Sequence, residues 1–362
     1  MRELHTTLLG NTKNINVIRK QELEEEEERA VLNETCDTIL LFSGGLDSIS
    51  GYLFEEEKYR NAKFLFVNHG ISKLIPEVEK QLRELGRLDD LIVVNTNTGG
   101  DYLQQTRGFL FITIAAVFAD LLNARKIVVS ECGVTKYRPS ESIADEITKT
   151  THPHMINVAK NIYQEFGIDL EIYFPFDDST KTEIMAKCGD QIDLLKRTVS
   201  CRIGTRKDIM NKKECGHCMA CVMKHISLSY YTGEKQDIFF LDPLTHNIGD
   251  SETDARITQW KLNNQRTESL FSTIKFCSEI LSDNLRRDTK KMLEDYNRYN
   301  LFYRYAEDMI YGLCFMKDKG HITNTMVLDA LTRIESESWF DHARITERRA
   351  ELIKITQDLQ TS

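Results

Sequence analysis

A chain of 362 residues with 41% hydrophobic and 28% charged side chains fits one large globular domain or two modest ones. No apolar run approaches the ~20 residues a membrane-spanning helix needs, and the opening MRELHTTLLGNTKN has no apolar signal core, so a cytoplasmic protein with no membrane partner is expected. A formal net charge of −9 argues against extended RNA binding, which relies on neutralising phosphates, so tRNA is not expected as a partner. In a reducing compartment the nine cysteines point to metal binding rather than disulfides.

Residues 1–36 form an N-terminal extension with a short strand expected around Ile15, Val17 and Ile18. The acidic run Glu24–Glu28 reads as a solvated face and carries no chemistry. From Thr38 the pattern alternates. Short β-branched or aromatic runs at Ile39–Phe42, Phe64–Val67, Leu91–Val94, Ile127–Val129 and Ile172–Phe176 are separated by helical stretches, notably Phe109–Leu122 and Met155–Phe166. Strands buried on both faces and alternating with helices predict a parallel five-stranded α/β domain over 37–198. Ligands of such sheets bind beyond the carboxyl ends of the strands. A cysteine-rich region follows over 199–245, and proline is absent after Pro243. Apolar residues then recur at helical spacing (Leu270, Ile274, Cys277, Leu281; Phe302, Tyr305, Met309, Leu313). This predicts an all-helical C-terminal region over 246–362. Its acidic and basic side chains nearly balance, unlike a nucleic-acid-binding tail.

The first predicted strand runs through Phe42 into Ser43-Gly44-Gly45-Leu46-Asp47-Ser48, with a helix expected to begin near Asp47. Gly44 and Gly45 let the backbone turn so that successive N–H groups converge. The helix N-terminus adds positive potential, and Ser43 and Ser48 add hydroxyl donors. The result is a cradle for a pyrophosphate. No Gly-Lys-Ser/Thr follows, so this is not a Walker A loop. It resembles the SGGxDS signature of PP-loop ATP pyrophosphatases. That resemblance implies ATP held through its β- and γ-phosphates by Phe42–Ser48, attack on the α-phosphate, and Asp47 orienting the loop or helping to hold Mg²⁺. Charge developing on the departing pyrophosphate calls for cations. Arg107, before the long apolar helix, and Lys181, after the fifth strand, are the candidates.

Cys201, Cys215, Cys218 and Cys221 have a spacing that can converge on one tetrahedral ion, and Gly216 permits the turn between ligands. Four sulfurs would close a structural zinc site with no open position for water. An iron–sulfur cluster and redox-active thiols are the alternatives. His217 and His225 are further potential ligands. The scattered Cys36, Cys132, Cys188, Cys277 and Cys314 read as small buried hydrophobes, with a chemical role for Cys132 as the secondary reading.

The loop at Ser43–Ser48, the stretch Thr106–Ala119, the element Thr180-Lys181-Thr182-Glu183 and the segment Ser200–Cys221 together resemble the 7-cyano-7-deazaguanine synthase (QueC-like) branch of the PP-loop enzymes. This implies a sheet like that of the HUP, or adenine-nucleotide α hydrolase, group. It also implies ATP-dependent adenylation of 7-carboxy-7-deazaguanine, capture of the acyl adenylate by ammonia, and a second ATP-driven dehydration to the nitrile. The chain departs from the family pattern at Asn68-His69-Gly70, at Gly108-Phe109 and over Glu131–Pro139, where the family carries its deazapurine segment. With its extra N-terminal and helical regions, the chain is similar to divergent relatives in antiphage gene clusters (Qat and type IV CBASS systems). That similarity implies a small-molecule acid as substrate and a partner protein that could supply the nucleophile. A homodimer is expected. A tRNA-modifying PP-loop enzyme and a catalytically silent nucleotide-binding scaffold are the competing readings.

Overall fold

A computed structural model describes residues 35–69, 75–96, 107–137, 151–199, 214–216, 218–239, 242–247 and 269–361. These fall into two compact units whose segments interleave along the chain. One holds the described residues of Met1–Ser43, Glu56–Val129 and Ile147–Pro175; the other holds those of Gly44–Glu55, Ser130–Glu146 and Phe176–Ser362. The expected strand near Ile15 and the acidic run at 24–28 lie outside the described residues, as do Cys201 and His217.

The first unit is built on a five-stranded sheet ordered β3-β2-β1-β4-β5. The strands are β1 (Thr38–Leu41), β2 (Ala62–His69), β3 (Leu91–Thr96), β4 (Lys126–Val128) and β5 (Glu171–Tyr173). All four pairings are parallel, with Leu40 opposite Phe64 on one side and Val128 on the other. This is the expected α/β sheet. β5 ends at Tyr173, short of the expected Phe176, because Pro175 has no N–H for the ladder and the chain turns there. β2 and β3 run longer than expected, their register carrying on through Asn68–Asn95 and His69–Thr96.

Among the described residues, three α-helices belong to this unit: α2 (Ile75–Glu84), α3 (Arg107–Leu121) and α5 (Pro153–Glu165). Ile112, Ala115, Ala116 and Ala119 of α3 close over Ile39, Leu65 and Ile127 of the sheet and Ile156 and Ala159 of α5. The small alanines admit close approach, and burial of this apolar surface drives the layer together.

The second unit opens with α1 (Leu46–Phe54). It continues with the short α4 (Gly133–Tyr137), then α6 (Lys181–Lys187), α7 (Ile192–Lys196) and α8 (Met219–Thr232). The expected C-terminal helices follow as α9 (Ser269–Leu281), α10 (Arg287–Asp295), α11 (Tyr299–Asp318), α12 (Thr325–Glu335) and α13 (Ala343–Thr361). They pack on their own chain. Gly312 lets α11 approach α8, where a Cβ would stand 3.0 Å from Ile226 and 3.2 Å from Tyr230. The Tyr230 hydroxyl of α8 donates to the Ile345 carbonyl of α13 at 2.7 Å. Among the described residues, no helix is long and apolar enough to cross a membrane.

Candidate active site and cysteine cluster

β1 lies between β2 and β4, so the strand order reverses between β1 and β4. Ligands of open α/β sheets bind at such a switch point. The segments that follow these two strands, Ser43–Ser48 and Ser130–Gly133, are the ones that bear on the site.

Gly44 has φ +71°, a left-handed conformation that a side chain would disfavour. Gly45 is the N-cap of α1, and Asp47 lies in its first turn. Ser48 folds its hydroxyl back onto the Gly45 carbonyl at 3.0 Å. Phe42 and Leu46 are fully buried. Phe42 packs edge-on against Phe64 with ring centroids 5.3 Å apart, and its main-chain N–H donates to the Leu65 carbonyl at 2.9 Å. Ser43 is exposed and Asp47 half-buried.

The decisive contact joins positions 134 residues apart: the Lys181 ammonium donates to the Asp47 carboxylate. Lys181 is the first residue of α6, whose N-cap Thr180 forms a capping box with Glu183. This is local chemistry, the hydroxyl and the carboxylate each satisfying an orphan backbone N–H of the first turn. Burial pulls the Lys181 ammonium down, but Asp47, with Cys132 and Glu131, pulls it up by more in sum, and the net shift is upward. Lys181 is therefore a buried side chain that keeps its charge.

Three successive residues of α6 reach three different parts of this unit. Lys181 meets Asp47 of α1. Thr182 donates to Ser227 of α8 at 2.9 Å. Glu183 accepts from Arg304 of α11 at 2.8 Å and from Arg348 of α13 at 2.7 Å. Arg348 also donates to the buried Asp308 at 2.9 Å, which in turn accepts from the Thr180 hydroxyl. The helical C-terminal region thereby holds the element that carries Lys181.

Cys132 follows β4 by a short loop. It is fully buried, its sulfur 3.1 Å from the Thr135 hydroxyl. Burial pushes its thiol up, while nearby Lys181 pulls the other way. The neighbouring Ser130 sits against Gly51 of α1, where a Cβ would fall 1.9 Å from its Oγ. Arg107 is the first residue of α3 rather than preceding it.

Sequence reasoning missed a second charged group in the same unit. Asp177 accepts from Lys136 at 2.5 Å, from the Tyr137 hydroxyl at 3.0 Å and from Arg298. Burial alone would raise the Asp177 carboxyl, but Lys136 and Arg298 hold it below its ordinary value. Its position just past β5 was the available signal.

The thiols of Cys215, Cys218 and Cys221 lie within 4.8 Å of one another. Cys215 and Cys221 approach to 3.7 Å, Cys218 and Cys221 to 3.4 Å. Gly216 turns with φ +84°, and Cys218 is the N-cap of α8. Three convergent sulfurs are a zinc donor set, and Cys201 is the expected fourth. His225 is not in the group. Its ring stacks on Phe239 with centroids 4.5 Å apart, and its Nδ1 lies 3.4 Å from Asp242.

Residues 101–232 match the family model for QueC, the queuosine biosynthesis protein. Over that stretch the chain is QueC-like. The matched segment takes in Arg107, Cys132, Lys181 and the cysteine cluster and begins downstream of the phosphate loop. An ATP-using PP-loop enzyme related to 7-cyano-7-deazaguanine synthesis is what this likeness supports, in agreement with the loop at Ser43–Ser48.

Proposed function

We propose that the chain adenylates a carboxylic acid of the 7-carboxy-7-deazaguanine type. A carboxylate oxygen attacks the α-phosphorus of ATP, the α–β phosphoanhydride bond breaks, and pyrophosphate leaves with the bonding electrons. Ammonia or an amine of a partner protein then attacks the acyl carbon, loses a proton and expels AMP. A partner encoded in an antiphage cluster and a homodimeric assembly belong to the same proposal.

The observation that carries the reading is the Lys181–Asp47 pair at the start of α1, behind Gly44 and Gly45. The ammonium rests on the carboxylate. A polyphosphate in the loop would compete for it and place a permanent cation against the charge developing on the leaving group. The main-chain N–H groups at the N-terminus of α1 would add fixed dipoles toward the same anion. Mg²⁺ bound with the nucleotide would neutralise further charge, and Asp47 would help to hold it. Zinc on Cys215, Cys218, Cys221 and Cys201 would brace the start of α8 and leave no open coordination position for the reaction.

The test is pyrophosphate release from ATP and Mg²⁺ with 7-carboxy-7-deazaguanine, ammonia, bulk tRNA or no addition, with Asp47→Ala as the control. Acid-dependent release, lost in the variant, is expected. Release that needs tRNA would replace the reading with a tRNA-modifying enzyme. Bound ATP with no release under any condition would replace it with a scaffold.

A further inference from the structure

The turn that carries Lys181 is held from outside its own helix. Lys181 is buried, so its stem is packed and its ammonium goes where the N-terminus of α6 goes. The capping box already serves the first-turn N–H groups. Glu183 Oε2 accepts from the Thr180 N–H at 3.0 Å, and the Thr180 hydroxyl accepts from the Glu183 N–H at 3.1 Å. Helices α11 and α13 add contacts to the same turn. Arg304 donates to the Asp178 carbonyl at 2.9 Å and, through Nε, to Glu183 Oε1 at 2.8 Å. Arg348 donates to that same oxygen at 2.7 Å. Asp308 accepts from the Thr180 hydroxyl.

Arg348 ties these anchors together. Its Nε donates to Asp308 at 2.9 Å, and its second terminal nitrogen reaches the exposed Glu351 at 3.0 Å. A guanidinium is a planar fork with fixed angles between its donors, so it sets Asp308 and Glu183 in a fixed relation to each other. Through Asp308 it holds Thr180, and through Glu183 it holds the third residue of the helix. Lys181 lies between these two positions, within a single helical turn.

Stability by itself does not call for such an arrangement. A buried ion pair replaced by apolar side chains of similar volume often leaves a protein as stable or more so. An apolar pair cannot supply direction, whereas charge-assisted hydrogen bonds fix the groups they join at short distance and narrow angle. Arg348 and Asp308 are both buried, and Thr180, which Asp308 holds, is covalently next to Lys181. A displacement of about 1 Å at a reacting centre can cost about 10²-fold in rate.

We infer that Arg348 and Asp308 are positioning residues for the departure of pyrophosphate. By fixing Thr180 and Glu183 they hold the Lys181 ammonium where the leaving group develops its charge. They act through α6, and the C-terminal helices thus govern turnover as well as stability. The inference rests on the adenylation reading and adds to it the residues that aim its cation.

The double replacement Arg348→Met with Asp308→Leu separates the two roles. It removes the directed bonds, and Glu183 keeps Arg304, so no buried charge is left unpaired. Pyrophosphate release is measured with ATP, Mg²⁺ and 7-carboxy-7-deazaguanine, far below the Tm of each chain. The Tm should lie near that of the parent, while kcat falls by about tenfold to 10²-fold. The KM for ATP should stay near the parental value, because the contact is made chiefly in the transition state. In a Lys181→Met background the same double replacement should cost little more, since residues that act as a unit are not additive. Arg348→Lys keeps the charge and lacks the fork, so its kcat should be intermediate; if the double variant does not fold, this variant decides. A parental kcat, with or without a raised KM, would overturn the inference and leave adenylation standing. So would a full further loss in the Lys181→Met background. A parent chain that releases no pyrophosphate with the acid would overturn adenylation and the inference with it.

Discussion

Arg348→Ala should destabilise the protein far more than a surface substitution. Arg348 is 4% exposed and is shared by two buried carboxylates, Asp308 at 0% and Glu183 at 6%. Its Nε donates to Asp308 at 2.9 Å and one terminal nitrogen to Glu183 at 2.7 Å. After truncation Glu183 keeps Arg304 and Asp308 keeps the Thr180 hydroxyl, but the cation between them is gone. Breaking a buried pair in this way costs about 3–5 kcal/mol, a large part of the ~5–15 kcal/mol that holds a typical protein folded. At about 2–4 °C per kcal/mol, the Tm should fall by roughly 10 °C in differential scanning calorimetry. Replacing both members, as Arg348→Met with Asp308→Leu, should recover much of that loss, because no unpaired charge stays buried. A Tm for Arg348→Ala within about 2 °C of the parent would refute the claim that this network holds α6. The pH dependence offers a second check. Burial pushes Asp308 from its ordinary 3.8 up to about 6, with Arg348 pulling down and Glu183 pushing up. The folded value exceeds the unfolded one, so the folded state binds the proton more tightly. That contribution is complete below pH 3.8 and is lost as the pH rises through about 6. Relative to Asp308→Asn, the parent chain should lose Tm across that window.

Three further outcomes follow from the site. Lys181→Met removes the cation paired with Asp47 and should lower pyrophosphate release by about 10²-fold or more. A fluorescent ATP analogue should still bind, and near-parental release would exclude Lys181 from the chemistry. Cys221→Ala removes a buried thiol from the cluster. Elemental analysis should then show zinc falling from about one equivalent per chain to almost none, as closed structural sites need their full ligand set; unchanged zinc would place the metal elsewhere. Gly133→Ala forces a Cβ to within 2.1 Å of a main-chain oxygen and should cost about 1–3 kcal/mol in urea unfolding, where a parental midpoint would show that the α4 segment moves freely.

The features legible in the sequence are those set by near neighbours along the chain. Alternating apolar runs gave the five parallel strands, and Gly44-Gly45 before Asp47 gave the turn into α1. Helical spacing beyond residue 269 gave the C-terminal helices, and Cys215, Cys218 and Cys221 sit close enough in sequence to converge by local geometry alone. Even the capping box at Thr180–Glu183 is written within four consecutive residues. The end of β5 differs from the expectation for an equally local reason, since the strand stops before Pro175, whose nitrogen has no proton for the ladder.

Order along the chain specifies local devices: a phosphate loop, a thiol cluster, a run of strands and a series of amphipathic helices. The tertiary structure alone decided which side chains share a charge. Lys181 meets Asp47 across 134 residues, Arg348 meets Glu183 across 165, and Arg298 reaches Asp177 across 121. Helical or strand periodicity fixes the face a residue occupies over a few turns and carries no information about the partner of that face. The cost of burying a charge then selects, among the possible packings, the one in which each cation finds its carboxylate.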